Sequence, residues 1–327
     1  SVSSSQNGQQ LHSTKAMTAF STSPGRPYHI IIFGASGFTG QFVVEEVSRC
    51  ASEGPNGSLK WAVAGRSKSK LEKVIEQASA NLSKPELKTE VDIIVADVSD
   101  QESLAAMCKQ AVIVLSCVGP FLEGMQLNYH DQAADKGVYI VGSCGFDSIP
   151  ADMGVIYTRD QFKGTLTAVD SFLTLGSGPE GGCLNDGTWQ SAIYGLADKG
   201  KLKTLRKKFG HKPLLVVGPK IKRKGLLFYS SEVQQYAIPF MGTDPSVVKR
   251  TQRYLHEELN ETPIEDASFH FICLGDGYTE GQDPSKGKPN GKIRTEVKGP
   301  EIGYVTTPIT MVQAAITMLN EPDSLPQ

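Results

Sequence analysis

Three glycines at intervals of three residues form a motif that can bind a phosphate group, in the stretch FGASGFTG. Gly34 permits a tight turn, Gly37 lets the backbone approach a pyrophosphate, and Gly40 allows a helix to pack closely on a strand. A helix that begins at this turn would offer backbone N–H groups and the positive end of its dipole to the phosphates. The spacing therefore predicts a dinucleotide site, and an ordinary strand-to-helix turn is the simpler alternative.

The end of the second predicted strand, Gly65-Arg66-Ser67, indicates which dinucleotide is bound. NAD-binding proteins usually have an Asp or Glu here, about 20 residues after the glycines, which binds the ribose 2′-OH. This sequence has no acid at that place, and the Arg66 guanidinium can instead pair with a 2′-phosphate. We therefore predict NADP(H) as the cofactor and NAD as the less favoured one. The alternative is that Arg66 and the lysines after it are a solvated helix start.

The other predicted cofactor contacts lie at the ends of later strands. Asp97 and Val98 follow the third strand, where related folds contact the adenine, and the segment 118–120 follows the fourth. Open α/β sheets bind ligands at this carboxyl edge. The candidate cofactor-binding residues are Gly34, Ser36, Gly37, Phe38, Thr39, Gly40, Arg66, Ser67, Lys70, Asp97, Val98, Val118, Gly119 and Pro120.

No comparable motif marks the proton donor that hydride transfer usually needs. The candidates are Asp147, Tyr194 and Thr188, followed by Tyr157 and Asp186. Neither tyrosine has a lysine four residues later, as short-chain dehydrogenases do. Asp147 is interpreted first as a helix N-cap. Thr188 can either cap a helix or donate a hydrogen bond to a carbonyl or anionic oxygen, so the catalytic residues stay open.

Alternating strands and helices must position the phosphate-binding turn. The apolar runs HIIIF, WAVA, VDIIVAD and AVIVLS predict buried parallel strands, each followed by a helix. A further strand is predicted over 138–141, and a helix with Asp147 or Ser148 as its N-cap and Pro150 in its first turn comes next. This order predicts a doubly wound parallel sheet of Rossmann type.

The second half of the chain has strand patterns that follow one another without helices, in TLTAVDSFL, ASFHFICLG and GKIRTEVKG. They predict a mixed or antiparallel sheet. The last predicted helix has Thr307 as its N-cap and Pro308 as its first residue, with Ile309, Val312, Ile316 and Leu319 on one face. The predicted fold class is therefore α/β: a Rossmann-type doubly wound parallel sheet with a second α+β domain.

The predicted boundaries divide the chain into four parts. Residues 1–27 are a flexible N-terminal extension, and residues 28–160 are the dinucleotide-binding domain. Residues 161–307 are a second domain of the substrate-binding or dimerisation type. Residues 308–327 are a C-terminal helix that returns to the first domain.

Composition and charge exclude several classes of function. The formal net charge of -2 creates no global field that attracts nucleic acid, and no nucleic-acid-binding motif is present. Six scattered cysteines without a C-x-x-C pair are typical of free thiols in an intracellular, reducing compartment, so no metal site is predicted. No run is expected to reach the roughly 18 apolar residues of a membrane span.

The segment from Lys199 to Lys224 holds eleven Lys and Arg residues and no acid, and GLLFYSS follows it. Such a segment beside apolar residues can bind an anionic membrane or lipid-droplet surface. The alternative is a solvated face of the protein. Nucleic acid is the less favoured partner.

Seven blocks of the sequence resemble the saccharopine dehydrogenase-like oxidoreductase family, from about Tyr28 to the end. The blocks are FGASGFTGQFVVEEV, WAVAGRSKSKLEKV, SCVGPF, GSCGFDSIPADMGVIYTRD, SGPEGGCLNDGTWQSAIYG, IPFMGTDPSVVKRTQRYL and VKGPEIGYVTTPITMVQAA. The resemblance implies a Rossmann domain, an NADP-type cofactor, a second α/β domain, and association with lipid droplets or membranes. Because relatives of this fold include bacterial enoyl reductases that act on lipid intermediates, it also favours an apolar substrate.

Two departures from the family pattern stand out. After Pro120-Phe121 the family has a further helix and strand, as a parallel crossover requires. Between Glu265 and Asp266 it has an apolar segment that could contact a membrane. We infer that the sequence omits segments of the natural chain, so that Phe121 and Leu122, and likewise Glu265 and Asp266, are not bonded neighbours.

Two functions of different classes follow from these patterns. The first is an NADP(H)-dependent oxidoreductase that transfers a hydride to a carbonyl, imine or enoyl compound, small or lipid-like. The alternative is a lipid-droplet or membrane-associated protein that holds the nucleotide without turnover. The expected localisation is intracellular, at lipid droplets or membranes, with mitochondria as the other option, and a homo-oligomer is a further expectation.

Overall fold

The computed structural model describes residues 22–119, 123–146, 148–174, 185–197, 204, 207, 213–219, 225–239, 244–266 and 272–326. They form two compact units. The first comprises the described residues up to Val118 and from Met311 onward, and the second those from Gly119 to Thr310. The described residues between Gly119 and Asp160 thus group with the second unit, whereas the predicted boundary lay at residue 160. The reason is that the helix over 149–161 packs on strands of the second unit.

The first unit is built on a parallel sheet of four strands in the order β3-β2-β1-β4. The strands are β1 (Tyr28–Phe33), β2 (Trp61–Gly65), β3 (Asp92–Val95) and β4 (Ala111–Ser116). The helices are α1 (Phe38–Arg49), α2 (Lys68–Leu82), the short α3 (Leu87–Glu90) and α4 (Gln101–Cys108). This strand order is that of a Rossmann sheet, so the predicted fold class is confirmed.

Both faces of this sheet are covered, which explains why its strands are continuous apolar runs. Ile30 and Ile32 of β1 pack into one core, with Val43 of α1 and Leu71 of α2. Ile31 packs into a second core, on the opposite face, which also contains Phe33 and Met107. The alternation of side chains along β1 therefore serves both cores.

The last helix, α9 (Thr307–Asn320), follows directly on a wide, π-type turn over Ile302–Thr306. The Glu301 carboxylate caps this turn, because it accepts hydrogen bonds from the N–H groups of Gly303 and Tyr304. Thr307 has helical backbone angles, so the prediction that it is the N-cap is wrong. The four buried apolar residues of α9 in the first core are Val312, Ala315, Ile316 and Leu319.

The helical stretch Ile302–Asn320 has 19 residues and a mean hydropathy of 1.3, so by length and composition alone it could cross a membrane. The expectation that no such run exists is therefore wrong. Core helices of soluble proteins pass the same test, so length and composition alone do not decide between the two. Val312 and Ile316 are buried in the first unit, and 28% of the apolar stretch as a whole is buried.

The second unit contains α5 (Glu123–Asp135), α6 (Ile149–Gln161), α7 (Asp186–Ala197) and α8 (Asp244–Leu259). Its main sheet has the order β10-β9-β5-β8, with β5 (Gly164–Phe172), β8 (Glu265–Asp266), β9 (Ile272–Thr279) and β10 (Gly291–Glu296). The β5–β9 and β9–β10 pairs are antiparallel and the β5–β8 pair is parallel, as predicted for a mixed sheet. A separate hairpin joins β6 (Phe228–Ser230) to β7 (Gln235–Ala237).

Residues 138–141 form no strand, which corrects the prediction of a further strand there. The side chains of Val138, Ile140 and Val141 are exposed, and the Ile140 carbonyl accepts a hydrogen bond from the Gln126 side chain. An apolar β-branched run becomes a strand only where a neighbouring strand pairs with it. The helix that follows begins as predicted, with Ser148 at the N-cap position and Pro150 in the first turn, whereas Asp147 lies outside the described residues.

Glu265 and Asp266 are consecutive residues of β8 and pair in register with Ala168 and Val169. The omission of a natural segment between them stays a prediction. The other predicted break, at Phe121 and Leu122, lies outside the described residues. Of the predicted N-terminal extension the structure describes residues 22–27, in which Ser23 and Arg26 exchange backbone hydrogen bonds across a turn.

Candidate functional site

The predicted phosphate-binding turn lies directly after β1, at the carboxyl edge of the parallel sheet. Gly34 has a φ of +82°, a conformation that favours glycine, and its N–H donates to the Ala64 carbonyl oxygen at 2.9 Å. The Gly37 N–H in turn donates to the Gly34 carbonyl oxygen at 2.9 Å, which closes the turn. The backbone is thus fixed to both β1 and β2.

Gly40 lets α1 approach this turn more closely than any other residue would allow. A Cβ atom at position 40 would lie 2.2 Å from the Gly34 carbonyl oxygen and 2.8 Å from the Ala35 Cα atom. A Cβ atom at position 34 would lie 2.7 Å from the Val118 side chain. The structure therefore brings Gly34, Gly40 and Val118 together, and it shows the packing reason for two of the glycines.

The N-terminus of α1 has the donors that a phosphate group requires. Gly37 occupies the N-cap position without a side-chain hydrogen bond, and the first turn contains no acid. The first intrahelical bond runs from the Gln41 N–H to the Gly37 carbonyl oxygen at 3.2 Å, so the preceding N–H groups point out of the helix end. Phe38, Thr39 and Gly40 form that turn. The arrangement fits the pyrophosphate of a dinucleotide.

The end of β2 lies beside this turn. A Cβ atom at Gly65 would be 3.7 Å from the Ser36 hydroxyl oxygen, so Ser36 and the start of the Arg66 segment are neighbours. Ser67 occupies the N-cap position of α2, with no side-chain capping bond, and Lys70 is exposed in the first turn. Arg66 is exposed as well. These groups are available to a ligand at the sheet edge.

The Asp97 carboxylate lies close enough to Arg66 to interact with its charge. The pKa of Asp97 is lowered mainly by hydrogen bonds from the N–H and hydroxyl of Ser99, at 2.9 and 2.8 Å, and further by the positive charge of Arg66. The carboxylate thus already holds the turn after β3. The donor set at the end of β2 therefore fits a phosphorylated ribose better than a free 2′-OH.

For the remaining predicted cofactor-binding residues the structure gives fewer contacts. Val98, which follows β3, is exposed, and the Val118 side chain packs against Gly34. Gly119 is exposed, and Pro120 lies outside the described residues.

The catalytic candidates do not form one cluster in the part of the chain that the structure describes. Thr188 and Tyr194 are exposed on α7, together with its first residue, Asp186, and Tyr157 is exposed on α6. The N-terminus of α7 is capped by Asn185, whose side-chain oxygen accepts from the Gly187 N–H at 2.9 Å. The interpretation of Thr188 as an N-cap is therefore wrong, and its hydroxyl stays a candidate hydrogen-bond donor. Asp147 lies outside the described residues.

One buried carboxyl group was missed by the sequence analysis. Asp152, in the first turn of α6, is 7% exposed, and its Oδ2 atom accepts a hydrogen bond from the Thr251 hydroxyl at 2.7 Å. Its Oδ1 atom has no hydrogen-bond partner among the described residues, and neither has Nε2 of the buried Gln252. Burial raises the pKa of Asp152 to about 6, against the effect of Thr251. The apolar neighbours in IPADMG were the available signal, but an acid in a first turn is usually exposed.

A cavity of about 960 Å³ lies at the opposite edge of the parallel sheet. It is lined by Tyr28, Trp61 and Asp92, the first residues of β1, β2 and β3. The Tyr28 hydroxyl donates to Asp92 at 2.8 Å, and burial together with this bond raises the pKa of Tyr28 to about 12. Because ligands of open α/β sheets bind at the carboxyl ends of the strands, this cavity is not the dinucleotide site. Within the described ranges no cluster of His, Cys, Asp and Glu could hold a metal ion.

Comparisons with known proteins agree with this geometry. Residues 30–129 match the family model of the saccharopine dehydrogenase NADP binding domain, which spans β1 to β4 and the phosphate-binding turn. A rat protein named saccharopine dehydrogenase-like oxidoreductase is 45% identical over 390 residues, covering 92% of this chain and 91% of the rat protein.

The chain belongs to the saccharopine dehydrogenase-like oxidoreductase family. The matching NADP-binding domain and the names of the relatives identify it as an NADP-dependent oxidoreductase. The Caenorhabditis elegans relative, 31% identical over 393 residues that cover 92% of this chain and 91% of its own, is named lipid droplet localized protein. The trans-acting enoyl reductase of Mycobacterium bovis is 32% identical over 181 residues, which cover 46% of this chain and 41% of that protein.

The rat member of the saccharopine dehydrogenase-like family also carries residues that this chain lacks. The alignment extends over 390 residues, but 92% of 327 residues is about 301, so about 90 aligned positions have no counterpart here. This agrees with the inference that internal segments are omitted. Their positions stay predictions.

We expect the Gly40→Ala substitution to disrupt the turn, because its Cβ atom would meet the Gly34 carbonyl oxygen and the Ala35 backbone. The loss in the free energy of unfolding should be about 2 kcal/mol or more, and NADPH affinity should fall with it. Urea denaturation and NADPH titration measure the two effects. Gly25→Ala is the matched control, because a Cβ atom there meets nothing within 4 Å. Equal behaviour of the two variants would contradict the role of Gly40.

The Asp152→Asn substitution should stabilise the protein at neutral pH, because the ionised carboxylate is buried with one oxygen unpaired. The raised pKa means that wild-type stability falls as pH rises from the ordinary value of 3.8 to about 6, and stays low above it. The free energy of unfolding of the variant should exceed that of wild type by up to about 3 kcal/mol at pH 7, and the difference should vanish near pH 4. Urea denaturation across this pH range measures it, and a pH-independent difference would contradict the assignment.

Proposed function

We propose that this chain transfers a hydride between NADP(H) and a carbonyl, imine or enoyl compound that has a large apolar part. The observation that carries the proposal is the glycine turn at the start of α1 beside Arg66, at a sheet edge where β2 ends without an acid. The bound cofactor supplies the hydride, and the protein supplies binding and orientation.

Different groups of the described residues are proposed to bind different parts of the cofactor. The N–H groups at the start of α1 bind the pyrophosphate, and Gly34 and Gly37 keep the backbone within reach of it. Arg66 pairs with the 2′-phosphate, with the Ser67 hydroxyl and Lys70 beside it. The backbone at Val118 and Gly119 lies further along the same edge.

The apolar part of the substrate is proposed to bind to α7. Trp189, Ile193 and Tyr194 are between 44% and 58% exposed on this helix, and Trp189 and Ile193 are one turn apart on the same face. Thr188 stands beside Trp189 and is proposed to donate a hydrogen bond to the substrate oxygen. The name of the Mycobacterium bovis relative, an enoyl reductase, supports a substrate of this class.

A second candidate function is favoured by a different observation. The basic segment from Lys199 to Lys224 has no compensating acid, and the Caenorhabditis elegans relative is named for lipid droplets. Most of this segment lies outside the described residues, and Lys207 within it is exposed. In this alternative the protein holds NADP(H) at a lipid surface without turnover. Tight NADPH binding without oxidation on any substrate of the panel described below would favour it.

Other predictions on partners and place stay proposals. We propose that the chain binds no nucleic acid and forms a homo-oligomer. Mitochondria stay the alternative to a lipid-droplet location.

The Arg66→Ala substitution should weaken NADPH binding by about ten- to hundredfold, because a charge-assisted pair with the 2′-phosphate is lost. NADH binding should change little, since NADH lacks that phosphate. Fluorescence titration with both nucleotides measures the ratio. Lys73→Ala, an exposed cation later on α2, is the control and should leave both affinities unchanged. A parallel loss for NADPH and NADH, or no loss, would refute the NADP assignment of Arg66.

The Trp189→Ala substitution should raise KM for long-chain aldehydes and enoyl compounds by about tenfold, and leave KM for short-chain analogues nearly unchanged. The expected reason is the loss of apolar contact on the exposed face of α7. NADPH oxidation over a panel of chain lengths measures the effect, and Trp189→Phe is expected to retain most of the affinity. An equal change for short and long substrates would place the apolar site elsewhere.

A further inference from the structure

The β6–β7 hairpin has an aromatic pair in contact with solvent. Tyr229 of β6 pairs with Tyr236 of β7, and their side chains are 56% and 73% exposed. Ser230 and Ala237, the next residues along the two strands, are buried. The two tyrosine rings meet edge to face, with their centroids 5.3 Å apart. One side of the hairpin therefore packs on the protein, while the other presents two ordered rings to water.

Aliphatic side chains extend this exposed side at the base of the hairpin. Side chains alternate across a strand, so continued alternation would place Leu227 and Ile238, each two residues from a tyrosine, on the same side as the rings. Both are 65% exposed, and Leu226 beside them is 88% exposed. We name the five residues Leu226, Leu227, Tyr229, Tyr236 and Ile238 the hairpin patch.

The size of the hairpin patch is that of one half of a protein–protein interface. With about 200 Å² for each large apolar side chain, the exposed fractions leave roughly 700 Å² in contact with water. The largest apolar patch of a typical monomer covers about 300–600 Å². Two such surfaces in contact would bury about 1,400 Å², which lies within the range of about 1,200–2,000 Å² for stable interfaces.

The charges of the hairpin favour an identical, uncharged surface as the partner. Residues 225–239 contain no Lys or Arg and a single acid, Glu232. This acid lies in the turn, where it accepts hydrogen bonds from the hydroxyls of Ser230 and Ser231. Two hairpins that meet face to face and antiparallel keep their Glu232 carboxylates at opposite ends of the contact. A parallel arrangement would bring these like charges together.

We propose that two copies of the chain associate through the hairpin patch, with the hairpins antiparallel around a two-fold axis. Such a contact is self-complementary: Tyr229 packs on Leu227 of the other copy, Tyr236 packs on Ile238, and the reverse contacts are identical. Each aromatic ring thus covers an aliphatic side chain that otherwise contacts water. The inference rests on the proposed homo-oligomer and names its interface.

Sedimentation velocity of the full chain over a dilution series tests the interface. Wild type should form a dimer that dissociates on dilution. Leu227→Ser with Ile238→Ser should raise the dissociation constant of the dimer at least about tenfold, because apolar contacts are lost in both copies. Leu215→Ser with Leu259→Ser is the matched control, since it removes two other exposed apolar side chains of the second unit. The control should dimerise as wild type does.

A charge-pair experiment tests the antiparallel arrangement and stays informative if the double serine variant folds poorly. Tyr236→Lys and Ile238→Glu each place an unpaired charge in the contact, so each variant alone should be a monomer. An equal mixture should form a heterodimer, because the antiparallel contact brings the introduced ammonium next to the introduced carboxylate. A mixture that stays monomeric, with both variants folded by circular dichroism, would overturn the arrangement.

The outcomes separate this inference from the homo-oligomer on which it rests. A dimer that the double serine variant retains at wild-type strength would overturn the hairpin patch as the interface and keep the homo-oligomer. A monomer at every concentration would overturn both. A monomer that binds phosphatidylcholine vesicles, and loses this binding in the double serine variant, would overturn the second copy and assign the patch to a lipid surface.

Discussion

The close approach of α1 to the end of β1 is the constraint on which the candidate site depends. With 2.2 Å between a Cβ atom at position 40 and the Gly34 carbonyl oxygen, only glycine lets the helix begin there. That contact fixes the N-terminus of α1 at the carboxyl edge of the sheet, next to Ser36 and the end of β2. The Val118 side chain, two residues after β4, packs against the turn. The ends of β1, β2 and β4 thus form one phosphate site through backbone geometry, with hardly any side-chain chemistry.

Much of the first unit was predictable, because its signals are local in the sequence. The run Ile30 to Ile32 has no polar residue, and only a strand that is covered on both faces can bury it. The glycine spacing requires a turn between that strand and a helix. Arg66, and the absence of an acid at the end of β2, could likewise be recognised from the local sequence. None of these predictions required knowledge of which residues, distant in the sequence, lie close in space.

The errors arose where a distant or competing partner decides the structure. Residues 138–141 have strand-forming side chains, but a strand needs a neighbouring strand, and Gln126 of α5 supplies a hydrogen bond instead. Thr307 followed by Pro308 suits a helix start, yet the Glu301 carboxylate begins the helical stretch earlier. The burial of Asp152 depends on its packing among elements distant in the sequence, which no local pattern records. Capping and strand propensity are weak where such contacts compete with them.

The second unit differs from the first in how much apolar surface it leaves in contact with water. Val138, Val141, Trp189 and Tyr194 are exposed there, while the β1 isoleucines of the first unit are fully buried. A unit that binds a nucleotide through its backbone can bury its apolar side chains, whereas a unit that binds apolar ligands needs accessible apolar groups. The relative from rat has about 90 aligned positions without a counterpart here, and contacts with such residues would cover part of the apolar surface of the second unit.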